Sequence, residues 1–156
     1  MIRHFTLWAL VLMLAAVSAQ AASPATTKEM ISQAIAQSQA SLAQLKSVPV
    51  EFAGALVVTV PGPAVTVANP TREQLLQILN ERSAYWQEQK ASFAKAGLQS
   101  LAAMADDIVA DVRADVDFVT QGWGGGQDLI ARKTTLLQQQ MLPRLFAARA
   151  ALTKTP

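Results

Sequence analysis

Five aspartates, Asp106, Asp107, Asp111, Asp115 and Asp117, crowd one short stretch of the chain, and Asp107, Asp111 and Asp115 recur every four residues. On a helix that spacing sets them nearly in line, where like charges repel and the stripe calls for cations. Three kinds of chemistry fit it: an ion pair to a neighbouring helix beside a solvated acidic face, a divalent-cation site, or a docking strip for a basic partner. Calcium takes many oxygens from a flexible loop, which a rigid helix does not offer, so the ion pair is the leading expectation. The remaining carboxylates Glu73, Glu81 and Glu88 are spaced for the outside of a helix. No two acids stand out as the converging pair that a glycoside hydrolase needs.

Other reactive residue types are scarce. The single histidine is His4 and there is no cysteine. Beyond His4 the chain therefore has no imidazole to take a proton from a nucleophile. Nor does it have the imidazole or thiolate ligands of zinc, haem or blue-copper sites. No catalytic residue, metal or cofactor is expected. The glycine-rich stretch 121–127, with Trp123 inside it, could turn backbone N–H groups toward an anion. It lacks the Lys-Ser/Thr ending of a phosphate loop and follows no strand, which leaves a connector with Trp123 as a plug or a contact residue.

The elements that must position these residues begin with a leader. Arg3 precedes an apolar run from Phe5 to Val17, and Ala19-Gln20-Ala21 supplies a small-x-small cleavage pattern. The run is too short to span hydrocarbon, which takes roughly 20 residues. Residues 1–21 are expected to be a signal peptide cleaved after Ala21, leaving 22–156 as one exported domain, periplasmic or secreted. Without a cysteine at the cut the product is not a lipoprotein. A formal charge of +2, lowered by one when Arg3 is removed, points to no nucleic-acid partner.

Within that domain, a first helix opens at Ser23-Pro24, carries a stripe of Ile31, Ile35, Ser38, Leu42 and Leu45, and ends at Ser47 to Pro49. Residues 48–68 then turn apolar around Pro61-Gly62-Pro63. Val58, Val60, Val65 and Val67 lie in β-branched runs on either side, which read as a hairpin-like crossover. Asn69-Pro70 starts a second helix with Leu75, Leu79, Trp86 and Phe93 on its seam, and Arg82 and Gln89 at the seam positions between them. A third run stripes Leu101, Ala105, Ile108, Val112 and Val119, with a turn expected at Gly97. The last helix starts near Asp128, carries Ile130, Leu137, Met141, Leu145, Ala148 and Leu152, and is kinked by Pro143.

The fold expected is mostly α, a four-helix bundle-like domain with a long apolar β-hairpin-like crossover between helices 1 and 2. Counting back from a hairpin at Gly97 sets Arg82 beside Val112, so Arg82 is expected to form a structural ion pair with Asp111 and Asp115. The crossover must be covered by its own bundle, by a partner or by lipid, since a two-stranded ribbon is marginal alone. Val58, Val60, Val65 and Val67, with Tyr85 and Trp123, are thus candidate partner contacts. A non-catalytic binding or assembly protein of the cell envelope follows, its partner another envelope protein; self-association is compatible with this. A membrane-active protein inserting 48–68 is the alternative, disfavoured by Pro61 and Pro63. A carboxylate-dependent hydrolase comes third.

Overall fold

The computed structural model describes residues 24–47, 59–65, 67, 70–121 and 126–154. These residues are mostly helical: α1 (Pro24–Ser47), α2 (Arg72–Lys95), α3 (Gln99–Thr120), α4 (Gly126–Thr135), a π-helical segment (Leu136–Met141) and α5 (Leu142–Thr153). The last three run on without a gap as one helix in three sections.

The described part of the crossover, 59–65 and 67, contains no strand, which corrects the expected hairpin. Pro61 and Pro63 explain it. Each lacks an N–H and has its φ fixed by the ring, and at alternate positions they remove ladder donors from one edge. Residues 48–58, and with them Val58, lie outside the described residues, as does Trp123.

Helix α2 begins two residues beyond Asn69-Pro70. Its N-cap is Thr71, which accepts from the Gln74 N–H at 3.2 Å, while the Gln74 side chain accepts from the Thr71 N–H at 2.8 Å. This reciprocal capping box satisfies two donors at once, which Pro at the first helical position cannot do. The helix ends at Gly97 in a left-handed turn with φ of 76°. There the Gly97 N–H donates to Ala94 and the Leu98 N–H to Phe93, at 3.1 and 2.8 Å. These two bonds are the Schellman pattern, and Leu98 packs against the core cluster to which Phe93 belongs. The chain then doubles back, so α3 lies antiparallel to α2: Lys90 meets Asp106 near the turn, and Arg72 reaches the Thr120 carbonyl at the far end.

Every seam residue expected on α2 is buried, as is the whole expected stripe of α3. Helix α3 is the centre of the bundle, touching α2 on one side and the three-part last helix on the other, while α1 packs on α5, α4 and the π-helical segment. The widened turn of that last helix has a local cause. Pro143 has no N–H and its ring crowds the carbonyl four residues back. Just before it the Leu142 N–H reaches five residues back, to Leu137. Leu129, Leu137, Met141 and Leu145, spaced by multiples of four, remain on one buried row across the junction.

A Cβ built on Gly97 meets nothing within 4 Å, so the cost of a side chain there is backbone strain alone. Gly97→Ala is expected to destabilise by about 1–2 kcal/mol, whereas D-alanine at the same position should match or exceed wild type by up to about 1 kcal/mol. Urea melts of the two proteins check this; an L-alanine variant as stable as wild type would remove the left-handed turn from the account.

Candidate functional site

Between α1 and α2 lies the described crossover, residues 59–65, which acts as a strap wedged along their seam. Thr59, Val60, Pro61 and Val65 are buried. Main chain that is buried without being helix or strand still needs partners for its carbonyls, and here side chains from both helices provide them. Ser41 of α1 donates to the Thr59 carbonyl at 2.5 Å. One turn apart on α2, Trp86 donates its indole N–H to the Pro61 carbonyl at 2.7 Å, and Arg82 donates through Nη1 to Val60 and through Nη2 to Pro63, the latter at 3.4 Å. Gly62 lets the strap come this close, because a Cβ there would stand 2.5 Å from Arg82 Nη1.

Arg82 is 5 % exposed. Burial pushes its pKa down to about 10, opposed by attraction from Asp115 and Tyr85, so it stays charged at neutral pH. Tyr85 is half-buried and stands edge-on to Trp86, ring centroids 5.3 Å apart. Its hydroxyl pKa is raised by burial and by Glu88, and drawn back by Arg82. Pro61, Gly62, Tyr85 and Trp86, with Met30, Ala34 and Gln37 of α1, line a small void of about 10 Å³, room for no more than one water. Among the described residues, two buried polar atoms have no hydrogen-bond partner: Arg82 Nε and Ser38 Oγ.

The second assembly is a buried ion cluster between α3 and α4. Lys133 and Asp115 are each 0 % exposed, and Asp111 is 7 % exposed. Lys133 Nζ bridges one oxygen of each carboxylate, while Arg132 meets their other oxygens at 2.5 and 2.7 Å. Arg132 also donates to the Asp111 carbonyl at 2.9 Å. Burial raises the Asp115 pKa, helped by Asp111 and opposed by Lys133 and Arg132. For Arg132, burial pulls the pKa down, but Asp115 and Asp111 outweigh it and leave it raised. Next to the cluster, Asp117, Phe118, Gln121, Asp128 and Arg132 line an open groove of about 380 Å³.

This arrangement corrects the ion pair expected for Arg82. The helix register is as counted and all three residues are buried, but Asp111 and Asp115 are held by Arg132 and Lys133, and the hydrogen bonds of Arg82 go to strap carbonyls. Sequence reasoning passed over Lys133 because lysine is a surface residue by default. Its signal was position: it lies four residues after Leu129 and four before Leu137, on the buried row. Of the candidate contact residues, Val60 and Val65 are 1 % and 8 % exposed and belong to the protein's own core, while Val67 and Tyr85 are half-buried. The acidic face is also engaged, with Asp106 paired to Lys90 at 2.7 Å and Asp107 to Arg144 at 2.6 Å.

Comparison of the chain with protein-family models, curated proteins and solved structures finds no match. Among the described residues no group of three or more acidic, histidine or cysteine side chains is placed to hold a metal ion. No described helix is long and apolar enough to cross a membrane.

Lys133→Met leaves two buried carboxylates to share Arg132 alone and should destabilise by about 3–5 kcal/mol, whereas Lys133→Met with Asp111→Leu and Asp115→Leu should recover most of the loss, since the partly exposed Arg132 can turn to water. Denaturant melts of the two proteins decide it, and a single variant as stable as wild type would mean the cluster is not buried. The raised pKa of Asp115 also gives a pH term. The native state holds that proton more tightly than the unfolded chain, so the term is fully present below the unfolded value of 3.8 and is lost as pH rises through the folded pKa. The stability of wild type relative to Asp115→Asn should therefore fall from pH ~4 upward. A difference that grows with pH would show pairing to outweigh burial.

A double-mutant cycle tests the strap. Gly62→Ala should cost about 1–3 kcal/mol in wild type and much less in an Arg82→Ala background, where the guanidinium it collides with is gone. Equal costs in both backgrounds would separate Gly62 from Arg82.

Proposed function

We propose that the protein is a non-catalytic binding or assembly protein of the bacterial cell envelope. On this reading it is exported by its N-terminal leader, cut after Ala21, and acts by contact with another protein. The observation that carries the reading is the strap: side chains of two helices grip a bent, proline-bearing main chain, neither helix nor strand, through its carbonyls, as a protein can hold the main chain of a partner. Four of the five α3 aspartates are engaged by cations from other helices, which supports a structural role for the acidic stripe over a hydrolytic one. The membrane-insertion alternative would have to pull Val60 and Val65 out of the core.

The half-buried Tyr85 and Val67 and the exposed Phe146, whose ring carries the Arg149 guanidinium 5.1 Å from its centroid, are the positions at which to look for a partner. With a photoreactive phenylalanine analogue at each in turn, irradiation of living cells should yield a discrete adduct with one envelope protein, and the chain should be recovered from the periplasmic fraction without its first 21 residues. Recovery of an uncut chain from the cytoplasm, or no adduct from any of the three sites, would overturn the reading.

A further inference from the structure

We infer that the cluster between α3 and α4 is a proton-operated latch whose moving part is Arg132: when Asp115 takes up a proton, Arg132 leaves the buried carboxylates and turns into the groove beside them. The inference goes beyond the binding reading and does not depend on it.

The count of charges drives the motion. Asp115 faces Lys133 and Arg132 of α4, Asp111 one turn before it on α3, and on α2 Arg82, which acts on it only through its field. Two cations and two carboxylates in direct contact leave the cluster neutral. A proton on Asp115 leaves Lys133 and Arg132 to share Asp111 alone, and a surplus charge is costly in a medium of low polarity. One cation must then reach water. Lys133 is 0 % exposed and has no way out except through the core. The Arg132 side chain is 31 % exposed and already forms part of the groove wall, so Arg132 is the group that moves while Lys133 keeps Asp111 paired.

The groove gives it a destination. At about 380 Å³ it has room for a guanidinium, and the exposed carboxylates Asp117 of α3 and Asp128 of α4 line it. Asp128 lies four residues before Arg132, the acid-first spacing that favours an ion pair along a helix. The arginine stem can lie along the half-buried Phe118 in the same wall. Burial supplies the trigger: it holds the Asp115 carboxyl above the ordinary aspartate range, against the pull of Lys133 and Arg132 and with help from Asp111. A carboxyl so raised takes up its proton at a pH where carboxylates in water are still charged. Above that transition the groove stands open and acidic. Below it Arg132 occupies part of the space and offsets the charge, which makes the opening of this face depend on pH.

Asp115→Asn gives the cluster the charge of its protonated state at neutral pH while keeping the side chain's shape. In the full exported chain, phenylglyoxal, which reacts with accessible arginines, should modify Arg132 of this variant at least about tenfold faster than in wild type, as mapped by peptide mass spectrometry. Arg82, buried beneath the strap, is the internal control and should stay unreactive in both proteins. Equal rates at Arg132, or a gain at Arg82 as large as the gain at Arg132, overturn the inference. Should Asp115→Asn not fold, side-chain NMR of the wild-type chain on lowering the pH takes its place. The Arg132 Nε–H signal should then move with the same midpoint as the Asp115 carboxyl carbon while the amides of α3 keep their dispersion. An Arg132 signal that does not follow Asp115, or an Asp115 that titrates only as the protein unfolds in acid, overturns the inference equally.

Discussion

A buried carbonyl must find a donor, and in this protein that requirement is most demanding where the chain is neither helix nor strand. Helices satisfy their own main chain and need only an apolar stripe to pack. The described strap joins no sheet or helix, and its two prolines lack N–H donors. Its burial between α1 and α2 therefore dictates side chains on both neighbours: a serine on α1, and an arginine and a tryptophan one turn apart on α2. It dictates Gly62 as well, because the guanidinium and a Cβ cannot share that space. The α1–α2 side of the bundle is organised around a coil, while the rest packs helix on helix.

Between α3 and α4 a different electrostatic demand is met. Asp111, Asp115 and Lys133 lie where the pattern of α3 and α4 places core residues, and each would be costly alone in a medium of low polarity. Together with Arg132 they share oxygens and protons almost completely, which turns a liability into a constraint on how α3 and α4 register. The junction with Pro143 lies immediately C-terminal to this cluster. The π-helical turn there absorbs the missing hydrogen bond while the buried row from Leu129 to Leu145 keeps facing α1 and α3. With no cysteine in the chain, no cross-link limits the unfolded state, so stability rests on packing and on groups such as these.

Periodicity carried most of the fold. The stripes of α2 and α3 were legible because an apolar residue every three or four positions has one geometric meaning, and the seam was correct even at Arg82 and Gln89, where polar residues occupy core positions. The Gly97 turn was legible for the same reason. Valine-rich runs about a Pro-Gly-Pro were not, because β-propensity expresses burial as much as strand formation, and burial is what Val60 and Val65 have. Arg82 shows the limit at the site. Register placed it beside Asp111 and Asp115, yet register says nothing of which way a long side chain turns, and lysine's usual surface habit hid the competitor that took both carboxylates.

Arg82 ties the two sides of the molecule together. It is a buried cation whose hydrogen bonds go to carbonyls of the strap, while Asp115 acts on it only through its field. Two cations, Arg132 and Lys133, pair with the two buried carboxylates, and the strap carbonyls give Arg82 what a third carboxylate would. Carbonyl dipoles can do this only at hydrogen-bond distance. Without the strap, Arg82 faces either penetrating water or another source of carbonyls, because an apolar surface laid against it would leave the charge uncompensated. The chemical demand of the seam is therefore for main-chain carbonyls, which Val60 and Pro63 of the strap provide.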